Sequence, residues 1–188
     1  MRQKDDAKAQ DILQATLDEV RAVGLAGLSV ESVARRAGIA TGTVYIYFRG
    51  KEALLDALYR QSKQRFAAFV LSDDGGPLRP AFTRMTRAVL DYLSEHEAEL
   101  VFMTQMANSP YVSAETRQSV ELGLKPISAL LERGKAEALL KPLDTGLMLA
   151  FLHGAVSALA PLAEGLSPGQ RTLFQDQVAN LCWDALKA

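Results

Sequence analysis

The sequence predicts an all-α protein: a three-helix head carrying a helix-turn-helix, then a larger helical body. Three observations predict it. No stretch sustains the period-two alternation of a half-buried strand. Apolar residues recur three and four positions apart instead, the mark of helices that bury one face. The segments with this spacing are short up to about residue 50 and long thereafter, which divides the chain at 1–50 and 51–188.

The composition sets limits on function. With 48% hydrophobic and 23% charged residues, the chain has the apolar content for a proper core and an ordinary surface. The single cysteine, Cys182, excludes an internal disulfide, and the two histidines, His96 and His153, lie far apart. No metal-ligand spacing, phosphate-binding glycine loop or Ser/His/Asp arrangement is visible, so neither an enzyme nor a metal or cofactor is expected. The start, Met-Arg-Gln-Lys-Asp-Asp, lacks the apolar run of a signal peptide and reads as cytoplasmic. The net charge of -1 conceals a local feature: Arg35, Arg36, Arg49 and Lys51 fall in a stretch with no Asp or Glu. Such a basic patch is an electrostatic footprint for phosphate.

The elements follow in order. Ile12, Leu13, Thr16, Leu17, Val20 and Val23 mark a first helix over about 7–23, which GLAG at 24–27 stops. Ser29 caps a short second helix, VESVARRA, with Glu31 in its first turn and Gly38 after its end. Thr41 to Phe48 forms a third, broken by Arg49-Gly50. Leu54, Leu55, Leu58, Tyr59, Phe66, Phe69 and Val70 imply a long helix from Lys51 to about Leu71. After a loop at 72–77 come helices at about 79–95 and 97–108, with His96 as an exposed helix-end residue, and a turn at 108–111. Ser113 caps a longer helix to about Leu139, bent or broken at Gly123 and Pro126. An apolar helix at 143–163 and a final one behind Ser167-Pro168-Gly169-Gln170 complete the chain. In the last, Leu173, Phe174, Gln177, Val178, Leu181, Cys182, Ala185 and Leu186 are expected to share one stripe.

Thr145 to Ala163 contains no charged residue and is long enough for a bilayer. It also contains His153, Ser157, two glycines and Pro161, and no cluster of cations flanks it. It reads as a buried or interface helix, and no membrane is expected.

The stretch TGTVYIYFRGK, Thr41 to Lys51, holds the functional signal. Val44 and Phe48, four apart, suit a core, but Tyr45, Ile46 and Tyr47 point in directions that one buried stripe cannot absorb. Ala34 is small where two helices approach, Gly38 tolerates φ > 0, and Val33, Ala37, Ile39 and Val44 pack on the first helix. This spacing fits a helix-turn-helix whose second helix enters the major groove, and fits an ordinary helical hairpin as well. The outward residues favour the former. Thr41, Thr43, Tyr45 and Tyr47 carry hydroxyls for phosphate or base edges, and Gly42 allows close approach. Ile46 suits a thymine methyl, and Lys51 opens a helix where its ammonium and free backbone N–H groups suit a phosphate.

The run LSVESVARRAGIATGTVYIYFRGKEALLDALY, near the N-terminus and followed by a helical body, resembles the TetR family of transcriptional regulators. The resemblance implies a DNA-binding head, a larger domain with an effector pocket, and a homodimer. By position it assigns DNA contacts to Thr41, Gly42, Thr43, Tyr45, Ile46, Tyr47 and Lys51. Ala40 departs from the family's frequent serine cap, and Ile46 from a polar or aromatic residue. Both departures bear on the operator sequence.

The resemblance also implies a dimer interface built from the last two helices, here 143–163 and 167–187. The charge-free helix and the apolar face ending near Trp183 agree, being difficult for one chain to cover. Pocket candidates on the middle helices are Phe66, Phe69, Phe82, Met85 and Tyr92, with Phe102, Met103, Met106 and His153. Methionines and aromatics suit an adaptable apolar pocket, though the same residues suit a core. The expected function is a ligand-responsive regulator, a repressor on a palindromic operator released by a small lipophilic effector. The alternative is a DNA-binding protein without a small-molecule effector, controlled by a protein partner or organising DNA.

Overall fold

Ile12, Leu13, Thr16, Leu17 and Val20 line the buried side of α1 (Arg2–Gly27) in the computed structural model, which describes residues 2–70, 76–107 and 109–188. The Thr16 hydroxyl donates a hydrogen bond to the Ile12 carbonyl at 2.8 Å, which lets a polar residue sit fully buried on that stripe. Val23, expected on the same stripe, is exposed: it lies beside the break at Gly24, whose φ of 73° interrupts the helix. Helix α2 (Val30–Arg36) starts at a reciprocal cap in which the Ser32 N–H donates to Ser29 Oγ and the Ser29 N–H to Ser32 Oγ. Then come α3 (Thr41–Tyr47) and α4 (Lys51–Val70). Helix α1 packs on α2, and α2 on α3.

The chain divides into two compact units, Met1–Gln64 with Ala98–Val120, and Arg65–Glu97 with Glu121–Ala188. The first therefore holds, besides α1, α2, α3 and most of α4, nearly all of α6 (Glu97–Ala107) and the start of α7 (Ala114–Ala136). Phe102, Met103 and Met106 are buried within it.

The second unit is built on α5 (Leu78–Glu95), which packs on α8 (Thr145–Leu159) and on α9 (Pro168–Leu186). Helix α7 runs continuously through Pro126 and ends at Ala136, short of the expected Leu139. Beyond it the Leu139 and Leu140 N–H groups both donate to the Gly134 carbonyl, and Ala138 takes a positive φ of 53°. Helix α8 starts at a cap missed in the sequence, Asp144, whose Oδ1 accepts the Leu147 N–H at 2.9 Å. Its expected end becomes a separate 3-10 turn, Ala160–Ala163, because Pro161 has no N–H to continue the α-helical ladder. The loop expected at 72–77 lies mostly outside the described residues, as does Asn108 of the expected turn.

The single expected stripe of α9 is in fact two. Val178, Ala179, Cys182 and Leu186 are buried with Gln175, while Leu173, Gln177, Leu181 and Ala185 are exposed. Steps of four along one side and mixed threes and fours along the other carry apolar residues to both faces. His96, expected at the surface, is half-buried at the end of α5, its ring 4.4 Å from that of Tyr92.

Gly134 shows how tightly this unit is filled. A Cβ there would lie 2.5 Å from Leu140 Cδ1, 2.7 Å from Leu140 Cγ and 2.8 Å from Leu78 Cδ2. Overpacking costs about 1–3 kcal/mol, whereas alanine's better helix propensity returns only about 1 kcal/mol. Gly134→Ala should therefore lower stability in urea or thermal denaturation.

Candidate nucleic-acid interface

Two helices and the turn between them place the candidate residues. Gly38 takes φ 66°, and the turn closes through the Gly38 N–H to the Arg35 carbonyl and the Ile39 N–H to the Ala34 carbonyl. Ala40 then begins α3 in an extended conformation and supplies no side-chain cap. On α3 only Val44 is buried, at 0% exposure, while Tyr45 is 52% and Ile46 79% exposed. Gly42 is exposed, and Thr41, Thr43 and Tyr47 are half-buried. Phe48, expected beside Val44 in the core, is only half-buried. Its extended backbone, φ -135° and ψ 126°, ends the helix and takes the side chain off the Val44 face.

The basic patch is smaller than the sequence suggests. Arg36 donates through Nε to Glu19 Oε2 at 2.6 Å, joining α2 to α1 and neutralising one of the four cations. Arg36 foremost, despite the opposing effect of burial, holds the Glu19 carboxyl below its ordinary value, with smaller help from the Ser32 hydroxyl. No periodicity argument could find this pair, since its partners are separated by seventeen positions. Lys51 opens α4 and is half-buried; its Nζ donates to the Ala26 carbonyl at 3.3 Å. Among the described residues no group of His, Cys, Asp and Glu could hold a metal ion.

With this geometry in place, the likeness to known proteins is specific. Residues 12–58 match the family model of bacterial regulatory proteins of the tetR family, and residues 59–188 match a tetracyclin repressor-like C-terminal domain. The chain belongs to the TetR family. It is accordingly a DNA-binding transcriptional regulator and not an enzyme. A TetR family regulator from Marinobacter aquaeolei superposes with a TM-score of 0.88 at 25% identity, covering 100% of this chain and 99% of that one. A Shewanella sp. PV-4 protein assigned to the same family gives 0.84 at 27%, over 96% and 98%. Among curated relatives, the regulator BetI 1 of Chromohalobacter salexigens is 39% identical over 54 residues, 29% of this chain and 27% of that protein. BetI of Escherichia coli is 34% identical over 65 residues, 35% and 33% of the two chains. These matches span about a third of the relatives' length.

The candidate pocket residues of this TetR-family chain are divided between the two units. Phe102, Met103 and Met106 belong to the first unit; Phe66, Phe69, Phe82, Met85, Tyr92 and His153 belong to the second. Phe82, Met85 and Tyr92 are buried, Phe66 is half-buried, and Phe69 and His153 are exposed. The Phe66 and Phe69 rings both meet Tyr92 edge-on, at 5.2 and 5.4 Å. An apolar depression of about 220 Å³ lies elsewhere, between the start of α8 and the end of α9, lined by Leu143, Leu147, Met148, Phe151, Ala185 and Leu186. All six residues fall in or beside the segments expected to form the dimer interface, where local pattern gives no sign of a hollow.

The Arg36–Glu19 pair yields a pH prediction. A depressed folded-state value means that the pair stabilises the head above the ordinary value of 4.5 and ceases to do so as pH falls through the lower, folded value. Wild type should melt above Glu19→Gln at neutral pH, and the two melting curves should converge as acid protonates Glu19. Comparing the two proteins at each pH cancels the titration of the other carboxylates.

Proposed function

We propose that the chain is a repressor that binds a palindromic operator as a homodimer in the cytoplasm and releases it when a small lipophilic effector binds. One observation carries the reading: Tyr45 and Ile46 stand outward on a short helix anchored by the fully buried Val44. A hydrocarbon exposed beside a phenol has little to gain from water, and a major groove offers a thymine methyl and base edges. In this reading Thr41, Thr43 and Tyr47 reach phosphate or base edges, Gly42 allows close approach, and Lys51 holds a phosphate.

Assembly as a dimer is supported by the outer side of the last helices. Leu147, Phe151, Leu162, Leu173 and Leu181 are exposed, Leu181 at 64%. The stretch Thr145–Ala163 is apolar and long enough to cross a membrane, yet Met148, Leu152, Val156, Ala160 and Ala163 are buried on its other side. One covered side and one bare apolar side fit a partner protomer, and a two-fold interface matches an inverted-repeat operator. The 220 Å³ depression is below the roughly 300 Å³ at which ligand pockets begin and suits a partner's side chain.

For the effector, α4 is one helix from Lys51 to Val70, with Phe66 and Phe69 near its far end. A ligand wedged at Phe66, Phe69, Phe82, Met85 or Tyr92 would tilt this helix and move Lys51, so that two heads no longer fit two grooves. The mutual packing of the Phe66, Phe69 and Tyr92 rings favours a second reading, in which the space is filled and a protein partner controls a DNA-binding dimer. Paired titrations separate them: with an identified lipophilic ligand, saturating operator should weaken ligand binding by the factor that ligand weakens operator binding. Unchanged ligand affinity leaves the second reading.

Footprinting on the DNA flanking the gene supplies the operator for two further predictions. Lys51→Ala should weaken operator and random DNA alike and reduce the salt slope by about 1, because a phosphate contact is blind to sequence. Tyr45→Ala should cost about 1–3 kcal/mol on operator and relax discrimination; equal losses on both DNAs would contradict its assignment as a base reader. In light scattering wild type should weigh two chains and Leu181→Glu one. Val178 packs inside the protomer, so a charge there should disrupt folding and not merely assembly.

A further inference from the structure

We propose that Tyr111 is a positioning residue for DNA binding, holding the Lys51 ammonium ready for a phosphate; the inference rests on the reading of Lys51 as a phosphate contact. The Lys51 Nζ lies over the Tyr111 ring, 5.9 Å from its centroid, and donates to the Ala26 carbonyl at 3.3 Å. Neither a ring nor a carbonyl neutralises the cation. A carboxylate in either place would compete with a phosphate for the same charge, whereas these two partners restrict the flexible lysine stem and leave further ammonium protons to donate. A side chain already held in place loses less rotamer freedom when the phosphate arrives.

The backbone that carries the ring is itself tied down. Its turn follows α6, and the Tyr111 N–H donates to Ser109 Oγ at 3.2 Å. The Arg117 guanidinium reaches back from α7 to the carbonyls of Ala107, at 3.1 Å, and Ser109, at 2.9 Å. Asp56 ties this turn to α4: one carboxylate oxygen accepts the Ser113 N–H at 2.8 Å, and the other accepts the hydroxyls of Ser113, at 3.1 Å, and Thr116, at 2.8 Å. Five residues, about 7.5 Å of helix, separate Asp56 from Lys51. The carboxylate thus fixes the turn against the same helix that begins with Lys51, and Tyr111 is set over the ammonium. All these groups belong to the first compact unit.

The test is a double-mutant cycle read by fluorescence anisotropy on a labelled duplex of random sequence, which suffices because a phosphate contact is blind to sequence. Tyr111→Leu should weaken binding about two- to fivefold, the range of an exposed cation–π contact, and Tyr111→Phe, which keeps the ring face, should bind like wild type. In a Lys51→Ala background Tyr111→Leu should have no further effect. Equal losses with and without Lys51 would mean that Tyr111 only supports the fold, overturning the inference while leaving Lys51 as a phosphate contact. Tighter binding by Tyr111→Leu would show that the ring withholds the ammonium and would overturn it too. Wild-type affinity in Lys51→Ala would remove the phosphate reading and this inference with it.

Discussion

A helix of seven residues does not hold itself together in water, because its few hydrogen bonds scarcely repay the ordering of its first turn. Helix α3 therefore depends on burial, and on α3 that burial rests on Val44. The neighbouring helices make the site for it: α2 packs on both α1 and α3, and Arg36 pins α2 to Glu19 of α1. With Val44 turned inward, the geometry of the helix leaves Tyr45 and Ile46 outside. The exposure that supports a DNA-reading role is thus the other side of the constraint that makes the helix exist.

The same economy recurs around α4. Its N-terminal end carries Lys51, whose stem is bracketed by the end of α1 and by the turn after α6. Asp56, five positions further on, satisfies three donors at the α7 start. A carboxylate near exposed helix-start amides is favoured both by hydrogen bonding and by the helix dipole. The segment 98–120 consequently folds with the head, although it lies far along the chain from the helix-turn-helix.

In the second unit, polar links between helices accompany the apolar core. Arg87 pairs with Asp176, Gln175 with Asp91, and Arg79 both bonds Asn180 and lies over the Trp183 ring. These join α5 to α9 along one side of α9, while Leu173, Leu181 and Ala185 stay exposed on another, beside the exposed Asp184–Lys187 pair. That separation within one helix is what gives the dimer proposal its face.

Much was legible from local pattern. The helix order, the Gly38 turn, the Ser29 and Ser113 caps and the family all follow from residues close in sequence, because helix periodicity, positive-φ turns and capping are local physics. The assignment of sides was less legible. Val178 and Leu181 look alike in an apolar stripe, and only the direction in which α5 and α8 approach α9 decides that one is buried and the other exposed. The patch of four cations likewise lost Arg36 to a carboxylate seventeen residues away, and Phe48 left the core when the helix ended one residue before it. The grouping of α6 with the head was equally beyond the sequence, since it joins residues 98–120 to residues 1–64. Local chemistry determined which segments are helices and what the head is; tertiary contacts between distant residues decided which charges stay available and which faces stay bare.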